Sequence, residues 1–385
     1  MKEARDVAIA GVGLTRFNSY DGQKADRPLK EFYDLGGEAI LAALDDAGLA
    51  WNEIEAAFCG SVYCGTASGH QAIEKIGNTG IPIVNVENAC SSGSSAFRLA
   101  YQMIAAGVYD VVLAAGFEKM PRGFIMSTSW PEWQRFMGFN VQPASYAMQT
   151  VRYMEATGAT VEDFARVTIK NRKNGTLNPN ARLQKTVTME EVLSSRMIAK
   201  PLRMLHACPL ADGGAAIILC RKDKLKSNLK TVTVAASILT SGTYGHGYGG
   251  GSVKIKTEDS IKYSARLAWD AAGLGPEDVD VVQAYDTMSP GELWDLEELG
   301  FCAPAEAPRL LREGYFDLGG KLPVNTDGGL MSRGHPLGAT ALAQIIEIYR
   351  QIRGEAGPRQ VPDAKVGLAH AMGAGPNSGI VILKR

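Results

Sequence analysis

The residues best suited to chemistry in this chain are one cysteine and two histidines. In Val86-Glu87-Asn88-Ala89-Cys90-Ser91-Ser92-Gly93-Ser94-Ser95-Ala96, a cysteine stands where the apolar run Ile81 to Val86 gives way to a small-residue helix start. The first turn of a helix has unpaired N–H groups and the positive end of the helix dipole, so it stabilises a thiolate and any oxyanion formed beside it. A thiol nucleophile also needs a base. Among the five histidines, His335 sits in Gly334-His335-Pro336-Leu337-Gly338 and His370 in the glycine-rich stretch His370-Ala371-Met372-Gly373-Ala374-Gly375, whereas His70, His206 and His246 have weaker context. An imidazole within hydrogen-bonding reach takes the thiol proton, which makes Cys90 with His335 the first pair and Cys90 with His370 the second. The competing assignment for Cys90 is a buried small hydrophobe, the usual lot of a free cysteine.

These residues must be positioned by elements that the apolar pattern outlines. Val7 to Gly13 reads as a buried strand and Pro28 to Leu49 as a helix ending in Ala47-Gly48-Leu49. Strands follow at Ile54–Val62, Ile81–Val86 and Asp110–Ala115, with a helix from Cys90 to about Ala106. Their apolar runs are continuous rather than alternating, which implies a sheet covered on both faces. Periodicity weakens between Lys119 and Pro209, a stretch read as a mainly helical insertion lining a pocket. After the strand Gly213 to Leu219 the opening pattern returns: strand Val232–Ile238, helix Asp259–Ala272 ending in Ala272-Gly273-Leu274, and strand Val279–Ala284. Such a recurrence suggests duplicated halves. In the second half the counterpart of the Cys90 corner is Asp327 to Thr340, so two like halves would bring Cys90 and His335 together across one cleft. The expected organisation is 1–118 for the first half, 119–209 for the insertion, 210–230 for a closing strand and linker, and 231–385 for the second half.

Composition excludes several function classes. At 385 residues the chain exceeds one ordinary core. Hydrophobic content of 45% and charged content of 21% are those of a soluble protein, and no apolar run approaches the ~18 residues of a membrane span. A net charge of −1 lacks the basic excess that nucleic-acid binding requires. Cys59, Cys64, Cys90, Cys208, Cys220 and Cys302 include no CxxC pair, which fits neither a disulfide framework nor a zinc site, so no metal is expected. Met1 to Asp6 carries acidic residues and no apolar core, and a cytoplasmic location is the default expectation. Gly245-His246-Gly247-Tyr248-Gly249-Gly250 satisfies GxGxxG, yet no helix opens directly behind it, so it reads as a loop and not a dinucleotide site.

Three ordered motifs together resemble the thiolase superfamily, and within it the sterol-carrier-protein-x branch. They are Asn88-Ala89-Cys90-Ser91-Ser92-Gly93, Leu205-His206-Ala207-Cys208-Pro209-Leu210-Ala211-Asp212-Gly213-Gly214, and Gly334-His335-Pro336-Leu337-Gly338-Ala339-Thr340. The resemblance implies an α/β thiolase fold: two βαβαβαββ halves with mixed five-stranded sheets, stacked as a five-layer αβαβα sandwich with an inserted loop domain. It implies that Cys90 carries an acyl group, that His335 activates it, and that backbone N–H groups at Cys90 and in the Met372-Gly373 turn bind the thioester oxyanion. Such preorganised donors typically lower a barrier by about 3 to 4 kcal/mol each. Coenzyme A is the implied co-substrate, with 3-oxoacyl-CoA and CoA giving two shorter acyl-CoA molecules.

Two departures from the family pattern matter. Typical thiolases carry a second cysteine in a Cys-x-Gly turn near the C-terminus, where this chain has Ala371-Met372-Gly373; sterol-carrier-type enzymes carry it in His-Asp-Cys-Phe, where this chain has Tyr285-Asp286-Thr287-Met288. Tyr285 and His370 are the candidates for the missing acid and base, Tyr285 first, and Asp286 is taken as a group orienting a neighbour at the substrate. Retro-aldolase relatives that use tyrosines are the alternative, and a non-catalytic acyl-CoA-binding or lipid-binding scaffold is the second alternative. Arg122, Arg135 and Arg152 lie among aromatics in the insertion, a mixture that suits an aromatic acyl group bearing a carboxylate, such as that of benzoylsuccinyl-CoA. A homodimer is implied by the resemblance, as is a small zinc-ribbon/OB-fold acyl-CoA-binding partner subunit.

Overall fold

A computed structural model describes residues 5–123, 132–138, 141–225, 230–242, 260–374 and 377–385. In the first half, β1 (Val7–Leu14), α1 (Phe32–Ala47), β2 (Ala56–Gly60), α2 (Ser68–Glu74), β3 (Ile83–Val86), α3 (Ser92–Ala105) and β4 (Val111–Glu118) follow one another. Four helices come next, α4 (Glu132–Phe136), α5 (Gln142–Thr157), α6 (Val161–Gly175) and α7 (Met189–Ser194), and then the small hairpin β5 (Met197–Ala199) with β6 (Leu202–Arg203). The long strand β7 (Gly213–Arg221) leads to the second half, which holds β8 (Thr233–Thr240), α8 (Ser260–Ala272), β9 (Val281–Gln283), α9 (Ser289–Glu298), α10 (Ala307–Arg312), α11 (Gly329–Arg333), α12 (Leu337–Arg353), β10 (Val366–Gly373) and β11 (Asn377–Lys384).

Strand order reveals the duplication that the sequence suggests. The first half runs β3-β2-β4-β7-β1, with β2 parallel to β3 and β4, and with β7 antiparallel to both β4 and β1. The second runs β8-β11-β10-β9, with β9 parallel to β10 and β11 antiparallel to both β10 and β8. A bridge from Val282 to Val324 occupies the fifth position of this half in place of a full strand. The two half-sheets also touch edge to edge at the single pair Ala8 with Thr233, so their strand orders run on into one another across nine strands.

Helices α3 and α12 pack against each other and against strands of both halves, forming the middle layer, while α1 and α2 cover the first sheet and α8 the second. This order is the expected αβαβα sandwich, and it explains the apolar strands: β4 and β7 are buried along almost their whole length because helices lie on both sides. One core cluster joins Phe97, Ile104, Leu342, Ile345 and Tyr349 of the middle layer to both sheets. Close approach at the centre depends on missing side chains. A Cβ on Gly116 would sit 2.1 Å from the carbonyl oxygen of Gly338, and one on Gly338 would sit 2.5 Å from that of Gly60. The start of α12 can therefore lie directly on the ends of β2 and β4, which brings the His335 turn to the Cys90 corner.

Candidate active site

The thiol corner is built by the backbone and by serines. Asn88 donates its N–H to Ser92 Oγ at 2.9 Å and its side-chain amide to Ser95 Oγ at 2.9 Å, while Ser94 and Ser95 donate to the Ser91 carbonyl. Ala89, immediately before the thiol, has φ +49°, a left-handed conformation that a non-glycine residue adopts only under surrounding constraint. Part of that constraint comes from the other half. Ser91 Oγ lies 3.2 Å from the Ala371 carbonyl and 3.3 Å from that of Asn377, and a Cβ on Gly373 would meet the Asn88 carbonyl at 2.3 Å. The end of β10 thus presses on the Cys90 corner, which leaves Cys90 half-buried before the first turn of α3.

His335 is buried and its tautomer follows from its partners. Thr340 donates its one hydroxyl hydrogen to the Pro336 carbonyl at 2.8 Å, so at 2.8 Å from His335 Nδ1 it acts as acceptor, and Nδ1 carries the proton. Nε2 is then an unprotonated acceptor. It faces the Tyr285 hydroxyl at 3.3 Å, with the rings edge to face at 5.8 Å between centroids. Burial, aided by the nearby Arg333, pushes the imidazole pKa down to about 3, so the ring is neutral and basic at Nε2. The turn is anchored from the first half by Glu118, a buried carboxylate that accepts from Gly338 N–H at 3.0 Å, Tyr63 N–H at 2.8 Å and Val62 N–H at 3.0 Å.

Tyr285 stands between the two predicted partners. Burial pushes the Cys90 thiol up to about 11, and the neighbouring Tyr285 opposes that rise. Burial and the Cys90 thiol in turn hold the Tyr285 phenol well above its ordinary value. Among the described residues no direct Cys90–His335 hydrogen bond occurs: the Tyr285 hydroxyl meets His335 Nε2, and Tyr285 belongs to the cluster against which Cys90 packs. Tyr285, Leu330, Ala341 and Ala371 form the cluster against which Cys90, Cys208 and Met372 pack.

At rest this site therefore holds a neutral thiol beside a neutral imidazole, not an ion pair. The iodoacetamide reaction at Cys90 is expected to rise about tenfold per pH unit between pH 7 and 10, since thiolate forms in that proportion below a pKa of about 11. Mass spectrometry of the modified peptide measures it; a rate independent of pH over that range would indicate a preformed thiolate.

Two predicted residues are placed differently from expectation. His370 does not face Cys90: its ring is fully buried on the other side of β10, with Nδ1 2.7 Å from Asp295 Oδ1 and Nε2 3.0 Å from Ser378 Oγ. It is thus tied to the structure behind the site, because Asp295 also accepts the Tyr285 N–H at 2.8 Å. Asp286 is likewise turned away from the thiol. Its carboxylate accepts from Leu330 N–H at 2.8 Å, Met331 N–H at 3.3 Å and Asn171 Nδ2 at 2.8 Å, and so fixes α11 instead of meeting a substrate. Met372 packs against the same cluster as Cys90, and Gly373 packs on the corner itself. Arg122, Arg135 and Arg152 are solvent-exposed, with Arg122 3.4 Å from Asp21, and none of them reaches the thiol. The glycine-rich stretch 245–250 lies outside the described residues.

Sequence reasoning missed two neighbours. Tyr146, on α5, accepts a hydrogen bond from Thr287 Oγ1 at 2.8 Å, and Cys208 donates its N–H to the Thr287 carbonyl at 2.9 Å. Cys208 belonged to a recognised motif, but its place in the same cluster as Cys90 arises only through the fold. Among the described residues, no cluster of three or more His, Cys, Asp or Glu could hold a metal ion, and no helix is long and apolar enough to cross a membrane.

Comparison with known proteins adds to this geometry. The family model for the thiolase N-terminal domain matches residues 7–223, and that for a thiolase C-terminal domain-like unit matches 252–385. Bovine (Bos taurus) sterol carrier protein 2 is 39% identical, over 96% of this chain and 70% of that protein. An acetyl-CoA acetyltransferase of Methanothermobacter thermautotrophicus is 38% identical over 99% of this chain and 100% of its own. The benzoylsuccinyl-CoA thiolase subunit BbsB of Thauera aromatica is 35% identical over 97% and 96%. Among solved structures, the Ltp2-ChsH2(DUF35) aldolase superposes with a TM-score of 0.85 at 27% identity, covering 99% of this chain and 98% of that one.

Proposed function

Because the chain belongs to the thiolase family, whose members include acyltransferases similar to it over their whole length, we propose that it cleaves a 3-oxoacyl-CoA with coenzyme A through an acyl-Cys90 intermediate. The observation that carries this reading is the Tyr285 hydroxyl 3.3 Å from the free Nε2 of His335, on a side chain that packs in one cluster with Cys90. As the thiol attacks the 3-oxo carbon, its proton passes to the Tyr285 oxygen while Tyr285 gives its own to His335. The neutral resting pair is consistent with charge developing only as the carbon is attacked. Backbone N–H groups of Cys90 and of Gly373 serve as oxyanion donors, and Met372 borders the acyl group.

The acyl group we assign is aromatic, with benzoylsuccinyl-CoA as the specific candidate. Aromatic side chains support this: Tyr146 stacks on Trp294 at 6.2 Å between centroids, and Tyr153 meets Trp294 edge-on at 6.0 Å. The likeness to BbsB points the same way. Thiolysis of benzoylsuccinyl-CoA should exceed that of acetoacetyl-CoA in kcat/KM, measured by thioester absorbance; the reverse order would overturn the substrate assignment. A second reading, retro-aldol cleavage of an acyl-CoA ester, is favoured by the tyrosine at the centre of the site and by the likeness to the Ltp2-ChsH2(DUF35) aldolase. It needs no acyl-enzyme, so detection of acyl-Cys90 by intact-protein mass spectrometry separates the two.

We also assign a homodimer that forms through β3. This strand pairs with β2 on one side, ends the strand order on the other, and has Val84 42% exposed. Val84→Asp is expected to convert a dimer to a monomer in light scattering, and a monomer before substitution would overturn the assignment. A small acyl-CoA-binding partner subunit remains part of this reading, supported by the DUF35 component named in the aldolase complex. Co-purification of the two chains as a single species tests it.

A further inference from the structure

The relay through Tyr285 accounts for the first proton of a Claisen cleavage, the one that leaves Cys90. A second proton must reach C2 of the departing acyl-CoA, and His370, turned to the far side of β10, cannot deliver it. Resting on the acyl-transfer reading above, we propose that Tyr146 is the second acid and base, its phenol hydroxyl protonating C2 while the Thr287 hydroxyl holds the resulting phenolate.

The hydrogen-bond directions support this role. Thr287 gives its single hydroxyl hydrogen to Tyr146 Oη at 2.8 Å, so the phenol's own hydrogen is not used in that bond. Among the described residues no acceptor takes it. The ring is fixed by stacking on Trp294, with planes 14° apart, and Thr287 lies two residues beyond Tyr285, whose hydroxyl touches the nucleophile's relay. Burial and the Cys90 and Cys208 thiols hold the Tyr146 phenol protonated at rest, while the bond from Thr287 favours its anion. Cys208 is the other thiol in the cluster, but burial and Asp286 raise its pKa, and no side-chain donor to its sulfur occurs among the described residues. Tyr146 is the neighbour with a built-in stabiliser for its conjugate base.

The balance is complete with coenzyme A as the only co-reactant. Cys90 Sγ bonds to the 3-oxo carbon, the C2–C3 bond breaks, and its electron pair goes to the enolate of the leaving acyl-CoA. Tyr146 protonates C2 and becomes phenolate. The entering CoA thiol gives its proton to that phenolate, its sulfur attacks the acyl-Cys90 carbonyl, and the released Cys90 thiolate recovers its proton from His335 through Tyr285.

The two half-reactions can be read separately in the full chain. Acetyl-CoA in D2O reports proton exchange at C2 by mass spectrometry, and labelled acetyl-CoA reports acylation of Cys90. Tyr146→Phe is expected to lose about 100-fold or more in C2 exchange and about tenfold or less in acylation, because the CoA thiolate released on acylation is a good leaving group, with a thiol pKa of about 8.5, and needs the Tyr146 proton far less than C2 does. Thr287→Val is expected to lose about tenfold in exchange, and Thr287→Ser to restore it, because only the hydroxyl stabilises the phenolate. Undiminished exchange in Tyr146→Phe, or equal loss of acylation and exchange, overturns the proposal. Tyr146-dependent exchange with no acyl-Cys90 in the unsubstituted protein overturns the acyl-transfer reading instead and leaves Tyr146 as the C2 donor.

Discussion

Cys90→Ala is expected to reduce CoA-dependent cleavage by roughly 10⁴-fold or more, with no acyl-protein detectable. The size follows from what remains. His335 and Tyr285 persist, but their relay then ends on a methyl group, and no second nucleophile occupies the helix start. Cys208 shares the same cluster, yet its backbone is tied to Thr287 and its thiol is held protonated by burial. The substitution is small, and the corner is held by Asn88, Ser91, Ser92 and Gly373, so folding should survive. Rates followed by release of acyl-CoA, together with intact mass, check the result. Full activity in Cys90→Ala would remove the acyl-enzyme and leave retro-aldol cleavage through Tyr285 as the reading of the site.

The same comparison shows which parts of this site were legible in the sequence. Cys90 and His335 were, because each lies in a turn of small residues whose only use is close backbone approach, and the duplication made the turns converge. Tyr285 was legible as a departure from an expected motif, although its position between thiol and imidazole was not. His370 was misplaced for a periodic reason. The glycines after it suggested a turn starting at residue 370, but β10 continues to Gly373, so strand alternation sends Ala371 toward Tyr285 and His370 to the opposite face. Asp286 fails similarly: it follows Tyr285 directly in an extended stretch, and neighbours there point apart. The arginines of the insertion suggested a carboxylate site by composition alone, and composition does not say which helix face meets solvent. Tyr146 carried no local signal, since its pairing with Thr287 spans 141 residues.

Glu292→Ala is expected to cost about 3 to 5 kcal/mol of stability, because it strips a buried lysine of its counter-charge. Lys170 Nζ lies 3.0 Å from Glu292 Oε1, with the side chains 5% and 0% exposed, and its remaining partners, Asn171 Oδ1 at 2.7 Å and the Val324 carbonyl at 2.9 Å, are neutral. Glu292 Oε2 also accepts from Asn171 and Asn325, each at 2.7 Å, so two donors lose an acceptor as the lysine loses its counter-charge. Asn171 passes the effect on, since its amide also binds Asp286, which fixes the N–H groups of α11 beside Tyr285. A lowered denaturation midpoint should therefore come with reduced kcat among the molecules that remain folded. The pair Lys170→Met with Glu292→Met should cost less than the sum of its single substitutions, because no charge is then left unpaired. Asp286 adds a pH dependence with a definite sign. Burial and Glu292 raise its pKa in the folded protein above the unfolded value of about 4, so the native state binds the proton more tightly and stability falls as pH rises from about 4 toward that raised value. Asp286→Asn should flatten this slope, as measured by chemical denaturation across pH, while an unchanged slope would place the titration elsewhere. Destabilisation of Glu292→Ala by less than about 1 kcal/mol would show that water or the two asparagines compensate Lys170, and that the network is not what holds Tyr285 in place.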